Sequence, residues 1–309
     1  MILCVVGPTA CKKTKTAISL AQHFQGEIIS CDSVSVYKDL DIGSAKPSEN
    51  ERSQIKHHLI DVADPFDLSF SVSVYKQMAD NAIADCLSRN VLPIVCGGSG
   101  LYLDSILHNM DYSCPSSAAL RNELALEYDQ DPAAFKEQLN TVDPVSANRI
   151  PLADKKRLIR AREVYELTGK AFSSLNADYM AAQNEFRYPS IRIGLYMPRQ
   201  VLYDRIEERV DQMLADGLVE EVERLYKRGL SLDHPSMQSI GYKQLLLYFT
   251  GACSLPCAID EIKKSTRHLA KRQLTWFKRD KGIEWFDCYS NTSYISDIIE
   301  YITGKYYDR

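Results

Sequence analysis

The sequence predicts an α/β fold, a doubly wound parallel sheet with an inserted all-helical subdomain. Short apolar runs rich in β-branched residues alternate with amphipathic stretches of helical period. This alternation implies parallel strands, because a helix must carry the chain back before the next strand can run in the same direction. The middle of the chain has charged helical segments and no strand-like run. We therefore predict a core of residues 1–113 plus 189–309 and a helical insertion of residues 114–188.

The elements follow one another in a regular order. We predict strands from continuous apolar runs and helices from apolar residues spaced three and four apart. The predicted strands are 2–6, 27–31, 57–62, 92–100 with its glycine turn, 191–197 and 283–287. The predicted helices are 73–89, 101–107, 199–217, 218–228, 242–249 and 258–278, with a first helix from Thr14 and a last one after residue 287.

Composition excludes several classes of protein. Of the 309 residues, 45% are hydrophobic and 25% are charged, which excludes disordered, collagen-like and coiled-coil chains. A net charge of -4 leaves a nucleic-acid partner open, because such binding needs only a local basic face. The nine scattered cysteines indicate reduced thiols. No apolar run is long enough for a signal peptide or a membrane span, so we expect a cytoplasmic protein with no membrane partner.

The segment GPTACKKT, residues 7–14, lies between the first strand and the first helix and nearly matches a P-loop. In a P-loop, backbone N–H groups and a lysine bind phosphate, and the last hydroxyl reaches Mg²⁺. Lys13 and Thr14 keep this register, which makes the predicted sheet P-loop NTPase-like. Lys12 replaces the second glycine, at a cost of roughly 1 kcal/mol if its backbone is left-handed. The alternative is an ordinary strand-to-helix turn. The predicted phosphate-binding residues are Gly7, Thr9, Ala10, Cys11, Lys12, Lys13 and Thr14.

Two further polar loops follow predicted strands. Asp32 and Ser33 come directly after the second strand, and Ser99 lies in the glycine turn after a later one. Because ligands bind at the carboxyl edge of a parallel sheet, we expect both loops and the P-loop to line one crevice. The alternative for Asp32 is a helix cap or a solvated turn residue.

Several segments, in their order and spacing, carry a resemblance to one family. They are GPTACKKT, DSVSVYKDLDIGSAKP, HHLIDVADPFDLSFSV, GGSGLYL, VDPVSANRI, DKKRLIRAREVYELTGKAFS, RIEERVDQMLADGLVEEV, QSIGYKQ and KSTRHLAKRQLTWFKR. With them the chain resembles the bacterial tRNA dimethylallyltransferases, or tRNA isopentenyltransferases, nearly from end to end. The resemblance implies transfer of a dimethylallyl group from dimethylallyl diphosphate to N6 of the adenosine 3′-adjacent to the anticodon, forming N6-isopentenyladenosine.

The resemblance also implies roles for individual residues. Asp32 matches the proposed base, and Ser99 stands at a position that is usually threonine. Lys13 and a Mg²⁺ ion near Thr14 would stabilise the leaving diphosphate. Of the arginines in the RIEERV segment, Arg209 is the first choice for a catalytic contact to the diphosphate. Further diphosphate contacts are expected from the P-loop residues named above and from Arg205.

The tRNA anticodon stem-loop is the macromolecular partner that the resemblance implies, and we expect the protein to be a monomer. The helical insertion would grip the RNA through the segment DKKRLIR. The predicted tRNA-binding residues are Asp32, Ser33, Val34, Ser35, Ser99, Arg121, Lys156, Arg157, Leu158, Ile159 and Arg160. The alternative for the basic residues is a solvated helix face.

The sequence departs from the family pattern at Lys12, at Ser35 in place of a glutamine, and in residues 149–154, which lack a histidine and an asparagine. Two alternatives to an active transferase therefore stay open. One is a relative that binds tRNA without catalysis, and the other is a P-loop nucleotide kinase.

Overall fold

A computed structural model describes residues 1–109, 116–175 and 186–307 of the chain, with side chains up to residue 305. The chain forms two compact units. One comprises Met1–Ile106 with Tyr188–Arg309, and the other comprises Leu107–Arg187. Cys114, one of the nine cysteines, lies outside the described residues, and the other eight are free thiols.

The first unit is built on a six-stranded sheet in the order β3-β2-β4-β1-β5-β6. All of its neighbouring strands pair in parallel, which confirms the predicted α/β class. The strands are β1 Ile2–Val6, β2 Gly26–Cys31, β3 His57–His58, β4 Leu92–Gly97, β5 Ser190–Tyr196 and β6 Ile283–Asp287. The third strand is shorter than predicted, because Leu59 and Asp61 adopt left-handed backbone (φ 63° and 58°) and end the pairing.

Helices connect most of these strands along the chain. In the first unit they are α1 Lys13–Phe24, α2 Glu49–Gln54, α3 Val72–Ser88, α4 Gly100–Leu107, α9 Arg199–Ala215, α10 Leu218–Lys227, α11 Tyr242–Phe249, α12 Leu255–Phe277 and α13 Tyr294–Tyr307. Ser71 and Ser254 cap α3 and α12 by accepting backbone N–H groups, so both helices begin earlier than predicted. Sequence reasoning missed α2, which opens with a capping box between Ser48 and Glu51.

The core of the first unit surrounds β1, in which every residue is at most 1% exposed. Strands buried on both faces need continuous apolar runs, which is what the sequence shows here. Ala17, Leu20 and Ala21 of α1 pack on one side of this core, and Ile298 and Ile302 of α13 belong to the same cluster.

Besides the helical residues 172–175, the described part of the second unit has the helices α5 Ala118–Gln130, α6 Pro132–Val142, α7 Pro144–Arg149 and α8 Lys155–Thr168. Each begins at a residue whose side chain accepts a backbone N–H, namely Ser117, Asp131, Asp143 and Asp154. Their apolar faces meet around Phe135, Leu139 and Leu158. Across the described parts of both units, no helix combines the length and the apolar character that crossing a bilayer requires.

Candidate active site

The loop between β1 and α1 has the backbone of an anion-binding turn. Ala10 and Lys12 both have φ of 64°, in the left-handed region, and the residues around them do not. Alternation of this kind turns successive N–H groups toward one side, where they can bind an anion. At its start, a Cβ on Gly7 would lie 2.6 Å from the Leu195 carbonyl oxygen, so β5 requires glycine there.

The side chain of Lys12 leaves the loop instead of filling it. Its Nζ donates a hydrogen bond to the Cys288 carbonyl at 2.8 Å and lies 5.8 Å from the centre of the Tyr294 ring. The lysine that replaces glycine therefore ties the loop to the segment between β6 and α13. Lys12 thus adopts the left-handed backbone that is usual for the glycine it replaces.

Lys13 and Thr14 open α1. The Nζ of Lys13 donates to the Pro8 carbonyl at 2.7 Å, across its own loop. Both residues line a cavity of about 810 Å³. An anion that bound in this cavity would compete with the Pro8 carbonyl for the lysine.

Asp32 forms the turn after β2. Its Oδ1 accepts the backbone N–H groups of Val34 at 2.8 Å and Ser35 at 3.2 Å. Within the described parts of the chain, Oδ2 makes no hydrogen bond. The turn role and a chemical role are therefore compatible, because one oxygen shapes the loop and the other remains available.

Ser99 joins the loops after β2 and β4. Its Oγ accepts the Ser33 N–H at 3.0 Å and lies 3.2 Å from the Ser33 Oγ. The two loops can approach closely because residue 97 is a glycine. A Cβ on Gly97 would lie 1.9 Å from the Cys31 carbonyl oxygen, so any other residue would clash there. The structure thus brings Ser99 next to the Asp32 turn.

Two arginines of α9 face the P-loop. Arg205 Nε donates to the Ala10 carbonyl at 3.1 Å, and Arg209 lies one turn later on the same face. Burial lowers the pKa of Arg209, and the negative charge of Asp32 acts in the opposite direction. A partly buried cation beside a phosphate-binding turn is suited to bind an anionic ligand.

The cavity brings together most of the predicted residues that lie in the first unit. Its lining includes Thr9, Ala10, Cys11, Lys12, Lys13, Thr14, Asp32, Ser35, Arg205 and Arg209. Gly7, Ser33, Val34 and Ser99 lie outside the lining and support the loops that form it.

Known proteins are similar in sequence to this chain over nearly its whole length. The model of a family described as IPP transferase matches residues 35–280. A tRNA dimethylallyltransferase from Geobacillus thermodenitrificans is 44% identical over 98% of this chain and 96% of its own length. One from Thermoanaerobacter sp. is 45% identical over 98% of both chains. The chain belongs to the IPP transferase family.

Solved structures agree with this membership. A full-length tRNA isopentenylpyrophosphate transferase from Bacillus halodurans is 39% identical and superposes with a TM-score of 0.73, over 98% of this chain and 96% of that one. A eukaryotic dimethylallyltransferase acting on tRNA is 26% identical with a TM-score of 0.82, over 99% of this chain and 79% of that one. The IPP transferase fold is therefore shared along nearly the whole chain.

The remaining predicted residues lie in the second unit. Arg121 Nε and Arg160 Nη1 donate to Glu163 Oε2 at 2.9 and 2.6 Å. Although burial acts in the opposite direction, these hydrogen bonds lower the pKa of the Glu163 carboxyl. Leu158 and Ile159 are buried, at 0% and 8% exposure, so their side chains serve the helical core. Lys156 and Arg157 are exposed.

Sequence reasoning missed the carboxylate of Glu221, which binds residues 41–43, directly before the cavity-lining residues 44–47. Glu221 accepts the N–H groups of residues 41, 42 and 43 and the Tyr242 hydroxyl. In the same segment, Lys46 donates to Asp41 and Asp61 and lines the cavity. The sequence carries no local signal for Glu221, because the backbone N–H groups that it binds lie about 180 residues away along the chain.

Oxygen donors in this cavity suit a divalent cation. The side chains of Thr14 and Asp32 both line it. Hydroxyl and carboxylate oxygens are the ligands that Mg²⁺ prefers, and Mg²⁺ is usually completed by water and substrate phosphates. The Thr14 hydroxyl therefore fits the predicted Mg²⁺ as one of its ligands, with water and substrate phosphate as the others.

A second group of potential metal ligands lies near the amino end of β2, whereas the loops of the candidate site follow the carboxyl ends of the strands. Glu27, His58, Asp85 and Cys86 have ligand atoms within 4.8 Å of one another. Arg89 donates to both carboxylates at 2.7 to 2.8 Å, and this lowers the pKa of Glu27 well below its usual range. The carboxylates of this group therefore form an ion-pair network with Arg89, which links β2 to the end of α3.

Proposed function

We propose that this chain transfers the dimethylallyl group of dimethylallyl diphosphate to N6 of the adenosine 3′-adjacent to the anticodon in tRNA. The observation that carries the proposal is one cavity lined by an anion-binding turn, by Arg205 and Arg209, and by Asp32. The names of the relatives, tRNA dimethylallyltransferase and tRNA isopentenylpyrophosphate transferase, support it.

Departure of the diphosphate is the step that needs positive charge. The bond between C1 of the allylic group and the diphosphate oxygen breaks, and its electron pair leaves with the diphosphate. The N–H groups of the P-loop and the cations of Lys13 and Arg209 would stabilise that charge, as preorganised donors do in other transferases. Lys13 would exchange the Pro8 carbonyl for a phosphate oxygen. Mg²⁺ held by Thr14 would supply further charge neutralisation when bound.

Proton removal falls to Asp32. The N6 amine is a weak nucleophile, so a carboxylate that accepts its proton while the N6–C1 bond forms lowers the barrier. Oδ1 of Asp32 is held by the turn, and Oδ2 would take the proton. Ser99 would fix the position of this turn through Ser33.

The target adenine must leave the stack of the anticodon loop before it can react. Basic residues of the helical unit would bind the RNA backbone around it. Lys156 and Arg157 offer exposed cations, and Arg121 and Arg160 offer cations held in place by Glu163.

The test measures transfer of a radiolabelled dimethylallyl group to an anticodon stem-loop with Mg²⁺ present. Asp32→Asn preserves the acceptor for the turn but removes the base, so we expect kcat to fall about 100-fold or more with little change in KM. Asp39→Asn is the matched control, since this carboxylate pairs with Arg228 and does not line the cavity. Absence of transfer by the unaltered protein refutes the proposal, and ATP turnover in its place would favour the kinase alternative.

A further inference from the structure

The carboxamide of Gln273 joins two loops of the candidate site. Gln273 lies near the C-terminal end of α12. Its Oε1 accepts the Thr9 N–H at 2.8 Å, and its Nε2 donates to the Gly98 carbonyl at 3.0 Å. Thr9 follows β1 and Gly98 follows β4, and these strands are neighbours in the sheet. One side chain thus connects the P-loop to the glycine turn that carries Ser99.

The packing of α12 explains why the turn is rich in glycine. A Cβ on Gly98 would lie 2.3 Å from Gln273 Nε2, and a Cβ on Gly100 would lie 2.3 Å from Trp276 Cδ1. Gln273 and Trp276 are three positions apart, so they lie on the same helix face. The helix therefore rests directly on the turn and leaves room for a side chain only at Ser99.

The two connected loops carry both halves of the proposed chemistry. The P-loop holds Lys13 on the leaving-group side, and Ser99 holds the turn of Asp32 on the proton-accepting side. A displacement of about 1 Å between reacting groups can lower a rate about 100-fold. A link between the loops therefore has a direct consequence for turnover.

We propose that Gln273 is a positioning residue, which keeps the P-loop and the Ser99 turn in register for the transfer reaction. The inference rests on the proposed function for its link to turnover. It also gives Thr9 a different role from the predicted one. The Thr9 N–H binds Gln273, so Thr9 anchors the loop and leaves diphosphate binding to the later amides.

The experiment compares two substitutions of similar size. Gln273→Met removes both hydrogen bonds. Gln273→Glu keeps an acceptor for the Thr9 N–H, but its carboxylate cannot donate to the Gly98 carbonyl until it is protonated. Thr275→Ala is the matched control on the same helix, because this exposed hydroxyl has the Lys271 carbonyl as its sole hydrogen-bond partner among the described residues. Initial rates are measured from pH 5 to 8, with thermal unfolding of each variant as a check on folding.

We expect Gln273→Met to lower kcat between about 10-fold and 100-fold at every pH. For Gln273→Glu, the ratio of its rate to the wild-type rate should rise as the pH falls, because the protonated carboxyl restores the lost donor. The ratio is taken at each pH, so any pH dependence that the variant shares with the wild type cancels. A role confined to stability would give a ratio that does not respond to pH.

Wild-type kcat and KM in Gln273→Met would overturn the inference, and so would a ratio for Gln273→Glu that is constant from pH 5 to 8. If the unaltered protein transfers no dimethylallyl group, the proposed function fails, and binding of inorganic pyrophosphate tests the inference separately. Calorimetry should then show pyrophosphate binding about 10-fold weaker in Gln273→Met than in the unaltered protein. Equal affinities would overturn it.

Discussion

Replacing Lys12 with glycine changes two energies of opposite sign. Glycine relieves the left-handed backbone at φ 64°, which costs a lysine about 1 kcal/mol. The same change removes the hydrogen bond from Nζ to the Cys288 carbonyl and the contact with the Tyr294 ring. A hydrogen bond from a charged group contributes about 1.5 kcal/mol or more, and a cation–π contact at this distance adds about 0.5 kcal/mol.

The sum predicts an order of stability for three proteins. Lys12→Gly should lower the free energy of unfolding by about 1 kcal/mol, because about 2 kcal/mol is lost and about 1 kcal/mol is regained. Lys12→Met keeps the strained backbone and loses the contacts, so it should lower that free energy by about 2 kcal/mol. The unaltered protein should be the most stable of the three.

Urea denaturation followed by tryptophan fluorescence measures these differences. Both tryptophans, Trp276 and Trp285, lie in the first unit, so the signal reports on the unit that contains Lys12. Lys38→Met is the control for the loss of a charge, since Lys38 is exposed and its side chain has no hydrogen bond within residues 1–109, 116–175 and 186–307. Equal stability of Lys12→Gly and Lys12→Met would refute the backbone argument. Wild-type stability of Lys12→Met would refute the contribution of the tether.

Three further changes test other parts of the structure. Arg209→Met should lower kcat/KM for the allylic diphosphate about 100-fold in the transfer assay. Arg209→Lys should recover little of that kcat/KM, because a lysine lacks the planar guanidinium that binds two phosphate oxygens. Glu221→Gln should lower the free energy of unfolding, measured by urea denaturation, by about 2 kcal/mol, because an amide NH₂ would face backbone N–H donors. Tyr242→Phe removes one hydrogen bond to Glu221 and should lower the same free energy by about 1 kcal/mol. The pKa of Glu27 is lowered in the folded state by Arg89, so its contribution to stability is complete above the ordinary pKa and is lost progressively as the pH falls from there to the lowered pKa. Glu27→Gln should therefore destabilise the protein more at pH 7 than at pH 3, and an equal loss at both values would contradict the ion-pair explanation.

Patterns a few residues long predicted much of the fold. The apolar run of β1 is buried along its whole length. The run at residues 92–97 forms a strand as predicted, and the structure pairs it with β1. Such runs predict strands reliably because burial on both faces leaves no place for a polar residue. The third strand was predicted too long, since left-handed backbone at Leu59 and Asp61 has no clear signature in residue type.

The candidate site was predicted in outline. The loops that hold Lys13, Asp32 and Ser99 follow neighbouring parallel strands, and parallel strands end at one edge of the sheet. Their convergence could therefore be inferred before any coordinates. The roles of the individual predicted residues stay predictions that the substitutions above address.

The sequence by itself determined the parallel sheet, the place of the anion-binding turn and the edge at which polar loops meet, because these depend on residue type within short windows. Only the tertiary structure decided where Lys12 points, and that Gln273 holds the loop of Thr9. Those contacts join residues 276 and 264 positions apart, and short-range periodicity carries no information at such separations. Side-chain direction is set by which distant carbonyl or N–H the folded backbone places within about 3 Å.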